Sequence, residues 1–209
     1  AQTPIAAWTK HALDGVQATG DARLALRFDL PLGAADRTTV AGELALDNNG
    51  FTVAGVPPLT DVTGRILLSE TGVSATDVAA RAFGGPVKFS VGNADGGLRV
   101  TARGNADMQV VRAELPSGLG SRISGTADWA LTLDDRAGQS QWTLESTLRG
   151  VEIDLPSPVG KIAADARSLR VERRPDAPGG GDTLSLALAG AGQVVAQRRL
   201  ADGKLIPGR

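Results

Sequence analysis

The chain has 209 residues, of which 42% are hydrophobic, 22% charged and only 3% aromatic, a composition that suits one or two folded domains. Its formal net charge is -1 and it has no basic block with interleaved aromatic residues, which argues against a nucleic-acid partner. The absence of cysteine excludes disulfide and thiolate–metal chemistry. A single histidine, His11, leaves almost no material for a histidine metal site or a Ser-His-Asp triad.

The N-terminal stretch TPIAAWTKHAL (3–13) carries helix-start signals, since a threonine suited to capping precedes a proline at the first helical position. We therefore predict a short helix over residues 1–14. The chain begins with alanine and has no run of about 20 apolar residues of the kind that crosses a membrane. We expect it to be one segment of a longer protein, with any membrane anchor outside it.

From residue 15 onward, apolar and polar residues alternate over short runs, which is typical of strands with one apolar face. The runs are LALRFDLPL (24–32), VAGELALD (40–47), GRILLS (64–69), VKFSV (87–91), LRVTARG (98–104), ISGTADWALTLD (123–134) and QWTLESTL (141–148). The alternation changes phase by one residue at Gly150, before Val151 and Ile153. A glycine at a phase change predicts a β-bulge or a bend in the strand.

Turn signals separate these runs and are too close together for parallel crossover units, so we predict an antiparallel sheet. They are NNG (48–50), ADGG (94–97), DDRAG (134–138) and ADG (201–203). The stretch FGGPVKFSV (83–91) feeds a strand rather than a helix, which makes it a hairpin corner and not a phosphate-binding loop. VPPL (56–59) and LPSPVG (155–160) are interpreted as proline-fixed connections, and ADMQVVRAEL (106–115) as a second short helix.

The chain after the N-terminal helix is predicted to consist of hairpins on both sides of one loop. A repeating hairpin region over 15–172 is followed by a flexible loop over 173–183, whose centre is RRPDAPGGGD (173–182). LSLALAG and QVVAQRRL then form a C-terminal hairpin over 184–209. We treat residues 1–209 as a single β segment.

The apolar face that this pattern creates must be covered, because leaving it wet would forgo a few tens of kcal/mol, more than the ~5–15 kcal/mol by which domains are stable. A second sheet, closure into a barrel, or an apolar ligand in a groove would each cover it. Leu, Val and Ala dominate, which favours acyl chains over a hydrophilic ligand that needs converging polar anchors. An ordinary sandwich core has the same composition, and periodicity alone slightly favours the sandwich.

Candidate catalytic groups are weak. Asp134 and Asp135 fall in a turn, and Glu152 and Asp154 alternate with apolar residues on the polar side of a strand. The arginines at 167, 170, 173 and 174, which have acidic neighbours, are interpreted as a solvated strand edge rather than a phosphate patch. For Lys161, structural capping of its loop is favoured over a role at a groove rim facing headgroups. We expect no enzymatic activity, no cofactor and no metal.

An ordered series of phrases resembles the YhdP-type proteins of the AsmA-like superfamily, whose relatives include TamB. The phrases are G-x-L-x-L in GELAL, PPL followed by G-x-I in GRI, the GGP turn, SG-x-x-x-W in SGTADW, and LP-x-P-x-GK in LPSPVGK. The resemblance covers roughly residues 15–173, and the part after 182 carries no matching phrase.

This resemblance implies a mostly β fold, in which a large curved antiparallel sheet forms a hydrophobic groove with one or two short helices. It implies a periplasmic segment of an inner-membrane-anchored protein of Gram-negative bacteria that conducts phospholipid between the inner and outer membranes. It also implies contact with neighbouring groove segments of the same chain. Combined with the alternation, it gives these candidate lipid-contacting residues: Leu26, Phe28, Leu44, Leu46, Ile66, Leu68, Val87, Phe89, Val91, Leu98, Val100, Trp129, Leu131, Leu133, Trp142, Leu144 and Leu148. The alternative is a scaffolding module with a sealed sandwich core.

Overall fold

The strands of the chain form one antiparallel sheet. The computed structural model describes residues 17–29, 39–53, 56–69, 72–94, 96–115, 118–136, 139–176, 181–201 and 204–207. Within them, 14 strands join in one sheet, which confirms the mostly β, antiparallel prediction. The helix predicted over 1–14 lies outside the described residues. No helix within the described residues is long and apolar enough to cross a membrane.

Most neighbours along the chain are also neighbours in the sheet, as expected for a succession of hairpins. The strands are β1 (Gln17–Thr19), β2 (Ala22–Asp29), β3 (Thr39–Val53), β4 (Val56–Ser69), β5 (Gly72–Ala82), β6 (Gly85–Ala94), β7 (Gly97–Asp107), β8 (Ile123–Arg136), β9 (Gln139–Ser146), β10 (Val151–Ile153), β11 (Leu169–Pro175), β12 (Asp182–Leu188), β13 (Gly192–Ala201) and β14 (Lys204–Pro207). The path runs β1-β3-β4-β5-β6-β7-β8-β9-β11-β12-β13-β14, with β2 beside β3 and β10 beside β8. No pairing among these strands closes the sheet into a barrel.

A short helical segment between β7 and β8 confirms the helix expected there. Helix α1 spans Met108–Val111 and continues as a 3-10 turn over Arg112–Glu114. Asp107 caps it, since its side chain accepts a hydrogen bond from the backbone nitrogen of Gln109 at 2.8 Å. The segment packs on β7 and β8 and buries Met108 at one end of the sheet. It therefore covers an end of the apolar surface and not its length.

A row of bulges bends the sheet near its N-terminal side. Asn48 in β3, Asp61 in β4 and Asp77 in β5 all have positive φ angles, of 55°, 53° and 50°. Asn and Asp adopt this conformation more readily than other side chains, and the pairing register shifts beside each of the three positions. Cα atoms of β5 and β7 approach within 8 Å. Strands two apart in a flat sheet lie about 9.5 Å apart, so the sheet is curved between β5 and β7.

Two turn assignments made from the sequence are wrong. NNG (48–50) is not a hairpin, because β3 runs through it and turns only after Val53. The side chain of Asn49 is buried and donates to the backbone oxygens of Thr19 and Asp21, at 3.2 and 3.1 Å. It thus fastens the break between β1 and β2 onto β3. VPPL (56–59) is not a connection either, because it opens β4.

The phase change at Gly150 is a bulge, as predicted. Ser146 in β9 pairs with Trp129 in β8, and Val151 in β10 pairs with Gly125. Five steps along one strand (146 to 151) thus face four along the other (129 to 125). Gly150 itself has a φ of 92°. The extra residue allows β10 to continue beside β8 after β9 ends.

The remaining turns agree with the sequence, with one loop shorter than expected. Phe83 and Gly84 form the corner between β5 and β6, so FGGPVKFSV does feed a strand. Hairpins also close at the ADGG, DDRAG and ADG sites. The loop predicted over 173–183 is narrower, because Arg173–Pro175 belong to β11 and pair with β12 from Asp182 onward.

Candidate functional site

The register of the strands places the predicted apolar residues on one face of the sheet, here called the apolar face. One row of cross-strand neighbours contains Phe89, Ala102, Leu131, Leu144, Val171, Leu186 and Val194. A parallel row contains Val91, Val100, Leu133 and Trp142, and the face continues into β2–β4 through pairs such as Leu44 with Ile66. All the candidate residues lie on this face except Leu148, which follows β9 and is buried beside Ala106, Ala127 and Val151.

The opposite face is polar and ion-paired. Arg99 contacts Asp134 at 2.6 Å, and Arg65 and Arg103 contact Glu43 and Asp77 at 3.5 and 3.7 Å. Such exposed pairs contribute little to stability but keep this side of the sheet in water. The sheet therefore has one aliphatic side and one hydrated side.

The apolar face is filled around the row of bulges and open on either side of it. Around the row of bulges, Val62 and Val78 are fully buried among Leu46, Ala80 and Val87, because the curvature brings side chains of the same face together. On the far side, Leu186 and Val194 are 41% and 66% exposed. No second sheet within the described residues covers this region. The accessible parts of the apolar face are therefore β2, where Leu24 and Phe28 are 50% and 55% exposed, and β11–β13.

The two tryptophans on the apolar face are not opposite each other. Trp129 pairs with Ser146, whereas Trp142 pairs with Leu133. Trp129 packs edge-on against Phe83 with ring centroids 6.0 Å apart, near the filled end. Trp142 pairs instead with Arg173 on β11. The two rings therefore lie apart on the apolar face, Trp129 beside Phe83 and Trp142 beside Arg173 of β11.

A charged cluster interrupts the apolar face along one edge, and we call it the guanidinium triad: Arg173, Asp182 and Arg198. Arg198 binds Asp182 through two atoms, with Nε and Nη2 each 2.7 Å from a carboxylate oxygen. Arg173 reaches the same carboxylate through Nε at 2.5 Å and donates from Nη1 to the backbone oxygen of Ser140 at 2.9 Å. Asp182 is fully buried, and the arginine side chains are 27% and 34% exposed.

The charge state of Asp182 follows from its surroundings. Burial on its own raises the pKa of this carboxyl, because the charged form loses hydration. The hydrogen bonds and charges of Arg198 and Arg173 outweigh burial and hold the pKa below its usual 3.8. Asp182 is therefore ionised at neutral pH.

This shift predicts acid destabilisation. A carboxyl whose folded-state pKa is lowered contributes stability that is fully present above pH of about 4 and is lost as the pH falls through the folded pKa. We expect the melting temperature of the wild type to fall more steeply than that of Asp182→Asn when thermal unfolding is followed from pH 6 down to about pH 2. Parallel curves for the two proteins would contradict a stabilising role of the ionised carboxylate.

Sequence reasoning missed the guanidinium triad. Arg173 and Asp182 fell in a segment read as a flexible loop, and Arg198 in an ordinary hairpin. A signal was present: Arg173 is in phase with Val171, and Arg198 with Val194 and Ala196, so their side chains fall on the apolar face. A charged residue in phase with apolar neighbours marks a polar interruption of that face.

The interpretation of the arginine cluster as water-exposed holds for Arg170 and Arg174 on β11, which lies between β9 and β12 and is not an edge strand. It is wrong for Arg173, which belongs to the guanidinium triad, and for Arg167, whose Nη1 donates to the backbone oxygens of Pro158 and Val159 at 2.7 and 2.9 Å.

Arg170 and Arg174, on the polar face, both contact Glu172, and Arg170 also contacts Glu145. The hydrogen bond from Arg170 lowers the pKa of Glu172 and outweighs burial, which raises it. Arg170, Glu172 and Arg174 line a shallow depression of about 250 Å³ together with Thr132 and Thr143. Within it both arginines contact Glu172.

Lys161 has a structural position. Its side chain is buried, and Nζ donates to the backbone oxygens of Leu148 and Ile162, both at 2.9 Å, and to that of Val151. All three ammonium donors are thus used inside the protein. Burial lowers the pKa of Lys161; Asp165 raises it and Arg167 lowers it further. The amine secures the bulge to the loop that follows β10 and is not presented to a headgroup.

No group of three or more His, Cys, Asp or Glu residues in the described part of the chain is arranged to hold a metal ion. In comparisons with known proteins, the family model described as YhdP protein matches residues 1–207. No curated protein and no solved structure matches the chain.

Proposed function

The chain belongs to the YhdP family, and from that membership we propose that it shields phospholipid acyl chains on its apolar face. The chain would be a periplasmic segment of a bridge-like protein whose inner-membrane anchor lies outside it. It would conduct lipid from the inner to the outer membrane of a Gram-negative bacterium and so maintain the outer-membrane barrier. Neighbouring groove segments of the same protein would continue the path.

One observation carries this proposal: rows of aliphatic side chains run across one face of an open sheet, and no second layer among the described residues covers them over β11–β13. Exposed aliphatic side chains that adjoin on one face of a sheet are typical of a binding surface. Aliphatic side chains without converging polar groups accept acyl chains of differing length, since the contact is non-directional. Movement along such a surface needs no chemical step, so we propose no enzymatic activity.

Val194 and Val195 offer a matched test. They are adjacent on β13 and both well exposed, at 66% and 56%, but they lie on opposite faces of the sheet. We expect Val194→Asp to weaken binding of phospholipid about tenfold, because a carboxylate on the apolar face must be desolvated by acyl chains. We expect Val195→Asp to bind as the wild type does. Neither change removes a buried side chain, so both proteins should fold.

Binding is measured by quenching of tryptophan fluorescence with phospholipids that carry brominated acyl chains. Trp142 lies on the apolar face towards β11, whereas Trp129 lies where that face is filled. If lipid contacts the open part, quenching seen in the wild type should be weaker in Trp142→Phe. Equal effects of the two aspartates would exclude the apolar face as the lipid surface. Absence of quenching in the wild type would favour the scaffolding alternative.

A further inference from the structure

The guanidinium triad lies beside the most exposed aliphatic part of the apolar face. Asp182 pairs with Arg198 across β12 and β13, and Arg173 pairs with Leu184 across β11 and β12. The next row along the same strands is Val171, Leu186 and Val194. Charged donors and exposed aliphatic side chains therefore adjoin on one surface, within two rows of the sheet.

The triad retains hydrogen-bonding capacity after Asp182 is satisfied. Arg198 uses Nε and Nη2, and Arg173 uses Nε and Nη1. Nη1 of Arg198 and Nη2 of Arg173 have no partner among the described residues. Because the shared carboxylate fixes both guanidinium groups, these outer nitrogens are held ready for an acceptor at little entropic cost.

Stability alone does not account for the triad. Burying an ion pair costs hydration free energy that the attraction between the two charges barely offsets. Well-packed apolar residues can therefore often replace such a pair without loss of stability. The neighbouring rows of the same strands are aliphatic, so apolar side chains fit this sheet. Two arginines on one carboxylate also leave an excess of one positive charge.

We propose that the guanidinium triad binds the phosphate of a phospholipid headgroup while the acyl chains lie on Val171, Leu186 and Val194. A phosphodiester carries one negative charge, which matches the excess charge of the triad, and guanidinium groups bind its oxygens through pairs of N–H donors. The triad is then the preferred binding site for the headgroup along the apolar face. This inference rests on the lipid-binding function proposed above.

The first test needs only the wild-type 209-residue chain. Binding of palmitoyl-oleoyl phosphatidylethanolamine is compared with that of the diacylglycerol bearing the same acyl chains, by native mass spectrometry. We expect the phospholipid to bind at least about fivefold more tightly, because only it offers a phosphate to the triad. Equal binding would overturn the headgroup site and leave acyl-chain binding intact. If neither lipid binds, the proposed function itself is contradicted.

Variants then assign the preference to the triad. We expect Arg198→Gln to bind phospholipid about tenfold more weakly and diacylglycerol unchanged. Arg170→Gln is the matched control, since Arg170 lies on the polar face with Glu145 and Glu172, and it should keep the preference. If circular dichroism shows that Arg198→Gln does not fold, Arg198→Lys replaces it. This variant keeps the charge but loses the two-atom contact, so its preference for phospholipid should be weaker than that of the wild type and of Arg170→Gln.

Free phosphate is distinguished by competition. We expect inorganic phosphate to displace the phospholipid only weakly, because it gains nothing from the aliphatic row. Strong displacement of the phospholipid by inorganic phosphate would overturn the proposal. An unchanged phospholipid preference in Arg198→Gln would overturn it as well.

Discussion

Replacing Gly125 with alanine is expected to destabilise the chain by about 2–6 kcal/mol. Gly125 has a φ of 97°, which L side chains rarely adopt, and an added Cβ would lie 2.0 Å from the backbone oxygen of Gly150. That oxygen accepts a hydrogen bond from the nitrogen of Thr126 at 3.2 Å, so it cannot move without breaking the contact between the bulge and β8. The change therefore separates β10 from the sheet.

Two other glycines separate the causes. Gly190 has a φ of 74° but open space around its Cα, so Gly190→Ala tests backbone strain alone, at about 1–3 kcal/mol. At Gly92, an added Cβ meets nothing within 4 Å and the φ angle is not left-handed, so Gly92→Ala should stay within about 0.5 kcal/mol of the wild type. Chemical denaturation gives the three free energies of unfolding. A loss for Gly125→Ala no larger than that for Gly190→Ala would refute the close approach of β10.

Replacing Lys161 with methionine is expected to cost about 3 kcal/mol in the free energy of unfolding. The change keeps an unbranched side chain of similar length but leaves the backbone oxygens of Leu148, Val151 and Ile162 without their donor. An unsatisfied buried acceptor costs about 1–3 kcal/mol, and partial access to water at this loop reduces the total. The loss should concentrate at the bulge and at β10.

Lys88→Met is the control, because Lys88 is an exposed residue on the polar side of β6 and should change stability by no more than about 0.5 kcal/mol. Hydrogen exchange gives a local measurement. The amides of Ile153 and Lys161, which bond to each other's carbonyl oxygens at 2.9 and 3.1 Å, should exchange faster in Lys161→Met. Unchanged protection of these amides would show that the amine does not hold the loop.

The strands were predictable because the alternation of side chains is a local property. Leu131 and Leu133 face the same side whatever their partners are, and the register across β6–β9 confirms it. The phase change at Gly150 was visible for the same reason. The bend at Asn48, Asp61 and Asp77 was not, because a bulge forms only where neighbouring strands accommodate it. Asn-Asn-Gly consequently looked like a turn.

Prolines misled the prediction for β4. Pro57 and Pro58 lack backbone donors, which usually ends a strand, but here they fall between the pairs Val53–Val56 and Phe51–Leu59, where the register is irregular. For the candidate site, the sequence predicted which residues share the apolar face. It did not predict how much of that face is open, because exposure of Val194 and burial of Val62 depend on curvature.

The row of bulges through β3, β4 and β5 also divides the sheet mechanically. Each bulge interrupts the ladder of hydrogen bonds between strands, so resistance to bending is lowest along that row. From β6 to β13, by contrast, the pairing along the main path runs without a register shift. The hydrogen-bond ladder is thus regular over β6–β13 and interrupted over β3–β5. We therefore expect bending of the sheet to concentrate at Asn48, Asp61 and Asp77, while the spacing of the aliphatic rows from β6 to β13 stays constant.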